Sequence, residues 1–210
     1  MLASLIPSIP SRPELTAILV VVSFSAGLNV YATVGTLGIL ARTGALALPP
    51  ALHSIESTPV IAVCAVLFAV EFIGDKIPLF DLLWNALHTF VRIPVAALLA
   101  YGATAQLPPW EQALATFAGA LIAFAAHGGK IAARTAITQS PEPFSNIALS
   151  LGEDAAVVFL TWLATRHPYA SVAIVTIALV FIILMIRSVL RALRHIFSDT
   201  TSAIHRQPIA

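Results

Sequence analysis

The sequence predicts an all-α integral membrane bundle of about six transmembrane helices, arranged as two inverted three-helix repeats. Three observations predict it. Of 210 residues, 59% are hydrophobic and 10% charged, at a mean hydropathy of +0.93. A soluble domain carries about 25% charge, and a water-soluble fold of this length could not hide so much apolar surface. Six apolar segments alternate with turn-rich breaks, and the first half of the chain resembles the second.

The segments are Leu15–Leu40, Pro59–Ile77, Leu79–Ala103, Ala113–Ile137, Ile147–Ala164 and Val172–Ile186. Each is close to the ~20 residues that cross a hydrocarbon core. The breaks between them are "RTGALALPPALHS", "DKIP", "AQLPPWEQ", "TQSPEPFSN" and "ATRHPY". The second break is so short that it predicts a tight antiparallel hairpin. Pro94 falls inside the third segment, where a kink is expected. The whole chain, 1–210, reads as one membrane domain: 15–103 as the first repeat, 113–186 as the second, 187–210 as a basic tail. That tail, "RSVLRALRHIF", continues the last helix with Arg187, Arg191 and Arg194 at helical spacing. It suits anionic lipid, or a plain stop-transfer flank.

Several classes are excluded. The single cysteine, Cys64, allows no intrachain disulfide and suggests no metal cluster. A net charge of +1 argues against nucleic acid as a partner. The first 14 residues lack a basic stretch, so no cleavable signal peptide is expected. With the start of the chain in the cytoplasm, that side holds Arg12, Lys76, Lys130, Arg134, Arg187, Arg191, Arg194 and Arg206, against Arg42 and Arg166 outside. This bias predicts a multi-pass protein of the inner (cytoplasmic) membrane with both termini cytoplasmic.

The repeat aligns "SAGLNVYATVGTLGILART" (25–43) without gaps on "FAGALIAFAAHGGKIAART" (117–135). Downstream, Pro59 precedes Glu71 by twelve residues and Pro141 precedes Glu153 by twelve. Three spans per half reverse the direction, so the copies are inverted, as in many transporters with a site at the repeat interface. The same spacing puts Glu71 and Glu153 each ~18 Å deep from opposite faces of a core of ~30 Å, near mid-membrane and within ~6 Å of the same height.

The charges inside the spans are the candidate site. Glu71 and Asp75 share a helix face at i, i+4; His127, Lys130 and Arg134 share one at i, i+3, i+7; Glu153 and Asp154 are adjacent. A charge at a helix centre costs ~2.5–3.5 kcal/mol on insertion scales, so these groups must pair inside the bundle. Arg92, Lys76, Asn29 and Asn146 are supporting candidates, Lys76 also being placed to snorkel to the interface. Tyr31, Asn85 and His88 are further polar groups expected inside. Two uses compete: lining a path or binding a substrate, or a structural ion-pair network that fixes helix register. His127 could relay protons, since its unperturbed pKa is near 6.5. Gly35, Gly38, Gly128 and Gly129 suit close helix packing, or the freed backbone of a discontinuous helix.

These residues carry a resemblance. "GLNVYATVGTLGILARTG", "EFIGDKIPLFD" with "VRIP", "HGGKIAART" and "SNIALSLGED", across residues 25 to 168, resemble the bacterial membrane proteins catalogued as domain of unknown function 4126. The resemblance implies a polytopic inner-membrane protein and brings no activity. "EFIGDK" is also similar to the Glu-x-Gly-Asp-Lys motif of one family of membrane cation/proton exchangers. Here Glu71 lies one residue further from the glycine, a rotation of ~100°, so that family's metal ligands are not transferred.

The expected function is therefore a secondary transporter or channel for a small ion or polar solute, using the buried charges. The alternative is a non-transporting scaffold or assembly factor whose charges are structural. No catalytic motif supports a third reading, an intramembrane enzyme using His127, Ser150 and Asp154. No enzyme activity, cofactor or metal is expected. The expected partners are the bilayer, the solute and a second copy of the chain.

Overall fold

The computed structural model describes residues 10–138 and 143–204, with side chains described except at 78–82, 135–138, 143–146, 189–190 and 192–204. Among the described residues there are seven α-helices and no strand. They are α1 (Arg12–Leu28), α2 (Val30–Arg42), α3 (Thr58–Gly74), α4 (Pro78–Ala103), α5 (Pro109–Thr138), α6 (Pro143–Arg166) and α7 (Pro168–Ile204), with a 3-10 helix at Pro50–Glu56. Six of the seven open on a proline in the first two positions, Pro13, Pro59, Pro78, Pro109, Pro143 and Pro168. Proline suits those positions because its missing N–H has no partner there and its φ is preset. The exception is α2, which Asn29 caps instead.

At the start of α1, Glu14 accepts from the Ser11 backbone N–H at 2.8 Å and the Ser11 hydroxyl at 2.9 Å. Both bonds favour the carboxylate and hold Glu14 below its ordinary pKa. α4 is continuous through Pro94, and α7 runs on through the expected basic tail, with Arg187 and Arg191 exposed.

Contacts fix the direction of each helix. Arg12 reaches Glu111 at 3.4 Å, Gly27 lies against Ala123, and Lys130 donates to the Leu28 carbonyl at 3.3 Å. So α1 and α5 lie side by side and parallel. At Gly27 a Cβ would stand 2.4 Å from the Ala123 carbonyl oxygen, so only glycine permits this approach. α2 turns back: Leu37 and Leu46 line one apolar cavity, of about 380 Å³, with Leu15, Ile18 and Leu99. Arg42 then meets Thr58 at 2.5 Å, and α3 descends to bring Glu71 and Asp75 beside Lys130. α7 packs Val175 in the cluster of Val21 and Ile182 against Gly129. The result is that α1, α3, α5 and α7 run one way and α2, α4 and α6 the other. Helix for helix, α2–α4 and α5–α7 point in opposite senses.

Among the described residues, four α-helical stretches are long and apolar enough to cross a bilayer: Leu83–Ala103, Pro109–Arg134, Ile147–Arg166 and Pro168–Ser188. The 3-10 helix and α3, bent by 61°, make a fifth if counted together. The expectation of six spans is corrected at the first, Leu15–Leu40. Asn29 leaves the helical region at φ −149°, ψ 103°, and the two pieces fold back on each other. Arg12 and the exit of α7 therefore lie at opposite ends of the bundle.

The surface is inverted relative to a soluble protein. Phe90, Ile177, Phe181, Phe117 and Leu98 stand exposed, while Glu71, Arg92, Lys130 and Arg134 are buried. Water would penalise both halves of that arrangement, and lipid rewards both.

Candidate functional site: a buried charge network at a broken helix

The site forms where the α1–α2 break meets α3, α4, α5 and α6. On α3, Glu71 faces inward, and one turn further on Asp75, the residue at the C-cap of that helix, is buried beside it. On α5, His127, Lys130 and Arg134 line one face, and all three are 3% exposed or less. α6 contributes Ser150, Glu153 and Asp154, and α4 contributes Asn85, Thr89 and Arg92.

Three carboxylates are each held by two bases. Glu71 pairs with Arg92 and with Lys130, the latter at 3.4 Å. Asp75 pairs with Arg134 at 2.7 Å and Lys130 at 3.4 Å. Glu153 pairs with Arg134 at 2.7 Å and Lys130 at 3.4 Å. Ser150 Oγ lies 3.5 Å from Asp75 Oδ2. Lys130 thus binds acids from both α3 and α6, so Glu71 and Glu153 share one height. That height is nearer one end than the midplane expected from spacing: Glu153 is six residues past Ile147, about 9 Å along the helix.

Arg92 is fully buried and extends the network. Its guanidinium also donates to Asn85 Oδ1 at 3.0 Å and to His127 Nδ1 at 2.8 Å. Arginine has no acceptor, so Nδ1 must be the bare nitrogen and the His127 proton sits on Nε2. From there it meets Thr89 Oγ1 at 2.8 Å. At His88 the Nδ1–H donates to the Trp84 carbonyl at 2.8 Å, and Nε2 shares a 2.9 Å hydrogen bond with the Tyr31 hydroxyl. The contact with Arg92 makes His127 neutral in this arrangement.

The break supplies backbone groups to the network. The Leu28 carbonyl, freed at the end of α1, accepts from Lys130. Asn29 Oδ1 accepts from Ala32 N–H at 3.0 Å and caps α2. That bond orients the amide so that Nδ2 donates to Asp154 Oδ1 at 3.0 Å. Each half-helix thus presents its end to a side chain of opposite charge preference.

Of the residues singled out in the sequence, Glu71, Asp75, His127, Lys130, Arg134, Glu153, Asp154, Arg92 and Asn29 come together here. Lys76 does not join them. Its ammonium donates to the Phe72 carbonyl at 2.6 Å and stands 3.2 Å over the Phe72 ring. Asn146 lies outside the described side chains. Ser150 enters through Asp75, not through His127. Sequence reasoning missed Thr89, whose signal was its place one turn before Arg92, and the Leu28 carbonyl, which no side-chain pattern announces. Of the glycines, Gly38 and Gly129 meet a neighbouring backbone and Ile182 closely, whereas Gly128 faces open space. Among the described residues no group of His, Cys, Asp and Glu is arranged to hold a metal ion.

A helical protein with several bilayer-length apolar helices, an apolar exterior and a charge network inside is built as a multi-pass membrane protein. The family model described as "Domain of unknown function (DUF4126)" matches residues 16–188, and the chain belongs to that family. No curated protein and no solved structure matches the chain.

Proposed function

We propose that the protein carries a small ion or polar solute across the cytoplasmic membrane, as a secondary transporter or channel. The observation that supports this most is the helix break at Asn29, whose two ends open into the charge network through Lys130 and Asp154. Discontinuous helices that direct backbone groups at buried charges are a recurring device of transport sites. The opposed directions of α2–α4 and α5–α7 suit an inverted repeat, with α1 outside it. Glu71 on α3 and Glu153 on α6 are then counterparts that meet at Lys130.

The basic residues suggest an orientation. The end where α7 exits has Lys76, Arg187 and Arg191, followed in the sequence by Arg194 and Arg206; the other end has Arg12, Arg42 and Arg166. Lys130 and Arg134 are neutralised by acids and carry little orienting weight. On this reading the α7 end is cytoplasmic and the start of α1 is outside.

Purified protein in liposomes, given a pH gradient and a panel of cations, anions and small polar solutes, should show flux above empty liposomes. The flux should be lost in Glu71→Gln and Glu153→Gln. No flux for any solute, with both variants folded, would sink the transport reading.

The scaffold reading has its own support. All three central bases are buried and each touches a carboxylate, as a structural ion-pair network requires. An enzyme is the poorest fit, because both nitrogens of His127 are engaged by Thr89 and Arg92 and neither by Ser150.

A further inference from the structure

Among the described residues the buried network does not balance. It contains four carboxylates, Glu71, Asp75, Glu153 and Asp154, and three strong bases, Arg92, Lys130 and Arg134. The bond from Arg92 makes His127 neutral, His88 is held by Trp84 and Tyr31 outside the ion pairs, and Lys76 is turned away onto Phe72. With every acid ionised the cluster would hold one surplus negative charge in a medium that solvates it poorly.

The surplus falls on one residue. Glu71, Asp75 and Glu153 each touch two bases, whereas among the described residues the only hydrogen bond to Asp154 comes from the neutral amide of Asn29. Its Oδ2 is buried and has no hydrogen-bond partner among the described residues; Glu71 Oε2 is in the same position, but its carboxylate is held by two bases. Asp154 also lines a groove between α3 and α6 whose other walls are apolar, among them Phe68, Leu151, Val158 and Trp162. The charged groups that act on it from neighbouring helices are Lys130 on α5 and Glu71 and Asp75 on α3. Glu153 adjoins it on α6 itself. The α1–α2 break presents Asn29 and the N-terminus of α2. Lys130 and that helix end favour the anion, but Lys130 is already shared by three carboxylates and a carbonyl. A metal cation would need several converging ligands, and among the described residues no group of His, Cys, Asp and Glu is arranged to hold one.

We propose that Asp154 is a proton-binding site: its Oδ2 takes up the proton that neutralises the cluster, and releases it when the Asn29 break rearranges. Release frees an anion that can draw Lys130 from the Leu28 carbonyl, so proton occupancy and the geometry of the broken helix are linked. The exchange role rests on the transport reading; the proton itself rests on the charge count alone.

The test is infrared spectroscopy of the whole protein in nanodiscs at neutral pH. A carbonyl band of a protonated carboxyl group is expected. It should shift in heavy water, shift with isotope-labelled aspartate, and stay put with labelled glutamate. Asp154→Asn, which mimics the protonated form, should lose the band, and Lys76→Met should keep it. Should the Asn variant fail to fold, the labelled wild-type protein still decides. No band, a band that follows glutamate, or one that survives in a folded Asp154→Asn would overturn the proposal. The band present with no pH-driven flux would leave the proton site standing and remove transport. Flux without the band would do the reverse.

Discussion

Glu71→Gln offers the sharpest probe of how the network is wired. Lys130 retains Asp75 and Glu153 when Glu71 is neutralised, so it is not stranded. Arg92 is different: Glu71 is its only carboxylate among the described residues, and the side chain is fully buried. Removing one partner of a buried pair costs about 3–5 kcal/mol, most of it the uncompensated charge left behind. Glu71→Gln should therefore destabilise by an amount in that range. Arg92→Met should cost a similar amount, adding the loss of its bonds to Asn85 and His127. Combined, the two should cost less than their sum by about 1–3 kcal/mol, because neither charge is then left alone. Glu71→Gln with Lys130→Met should show no such relief. The measurement is reversible unfolding in mixed micelles, read as a double-mutant cycle. Costs for Glu71 and Arg92 that add to within about 0.5 kcal/mol would refute the pairing.

Two further outcomes are expected. A reporter active only in the cytoplasm should work when fused after Ala210 and stay silent when fused ahead of Met1; activity at both ends would restore an even number of passes. Gly27→Val should destabilise by about 1–3 kcal/mol or more through overpacking against Ala123, whereas Gly128→Ala, facing open space, should be neutral or gain up to about 1 kcal/mol of helix propensity; equal effects in unfolding experiments would deny the α1–α5 contact.

The membrane class was legible from composition, and α3 to α7 from apolar runs, although only Pro59 was read as a start and Pro78, Pro109, Pro143 and Pro168 fell in the breaks between runs. Every charged member of the network was visible as an ionisable residue inside a span. The fracture of the first span was not, for a physical reason. "AGLNVYATV" has no proline and no charge, and an apolar run does not reveal that the chain reverses within it. Asn29 was a readable signal, since asparagine is among the best N-caps, but mid-run it passed for an interior polar group. The reversal sets the start of α1 and the exit of α7 at opposite ends of the bundle. Arg92 stood alone in its segment, so spacing gave it no partners; only tertiary packing brought Glu71, Asn85 and His127 around it. The imbalance of the cluster needed the tautomer of His127, which the chain order does not contain.

Lys130 has four oxygen neighbours at 3.3–3.4 Å, from Leu28, Glu71, Asp75 and Glu153. An ammonium has three hydrogens, and charge-assisted bonds usually close to about 2.7–2.9 Å. The group is over-subscribed and holds every neighbour at arm's length. Its hydrogens have several nearly equivalent assignments among those oxygens, and swapping one for another breaks no strong bond. A planar arginine fork would commit to two of them and abandon the rest. Lys130 is thus a ball joint where α1, α3 and α6 meet, letting each tilt against the others without any of them coming unfastened.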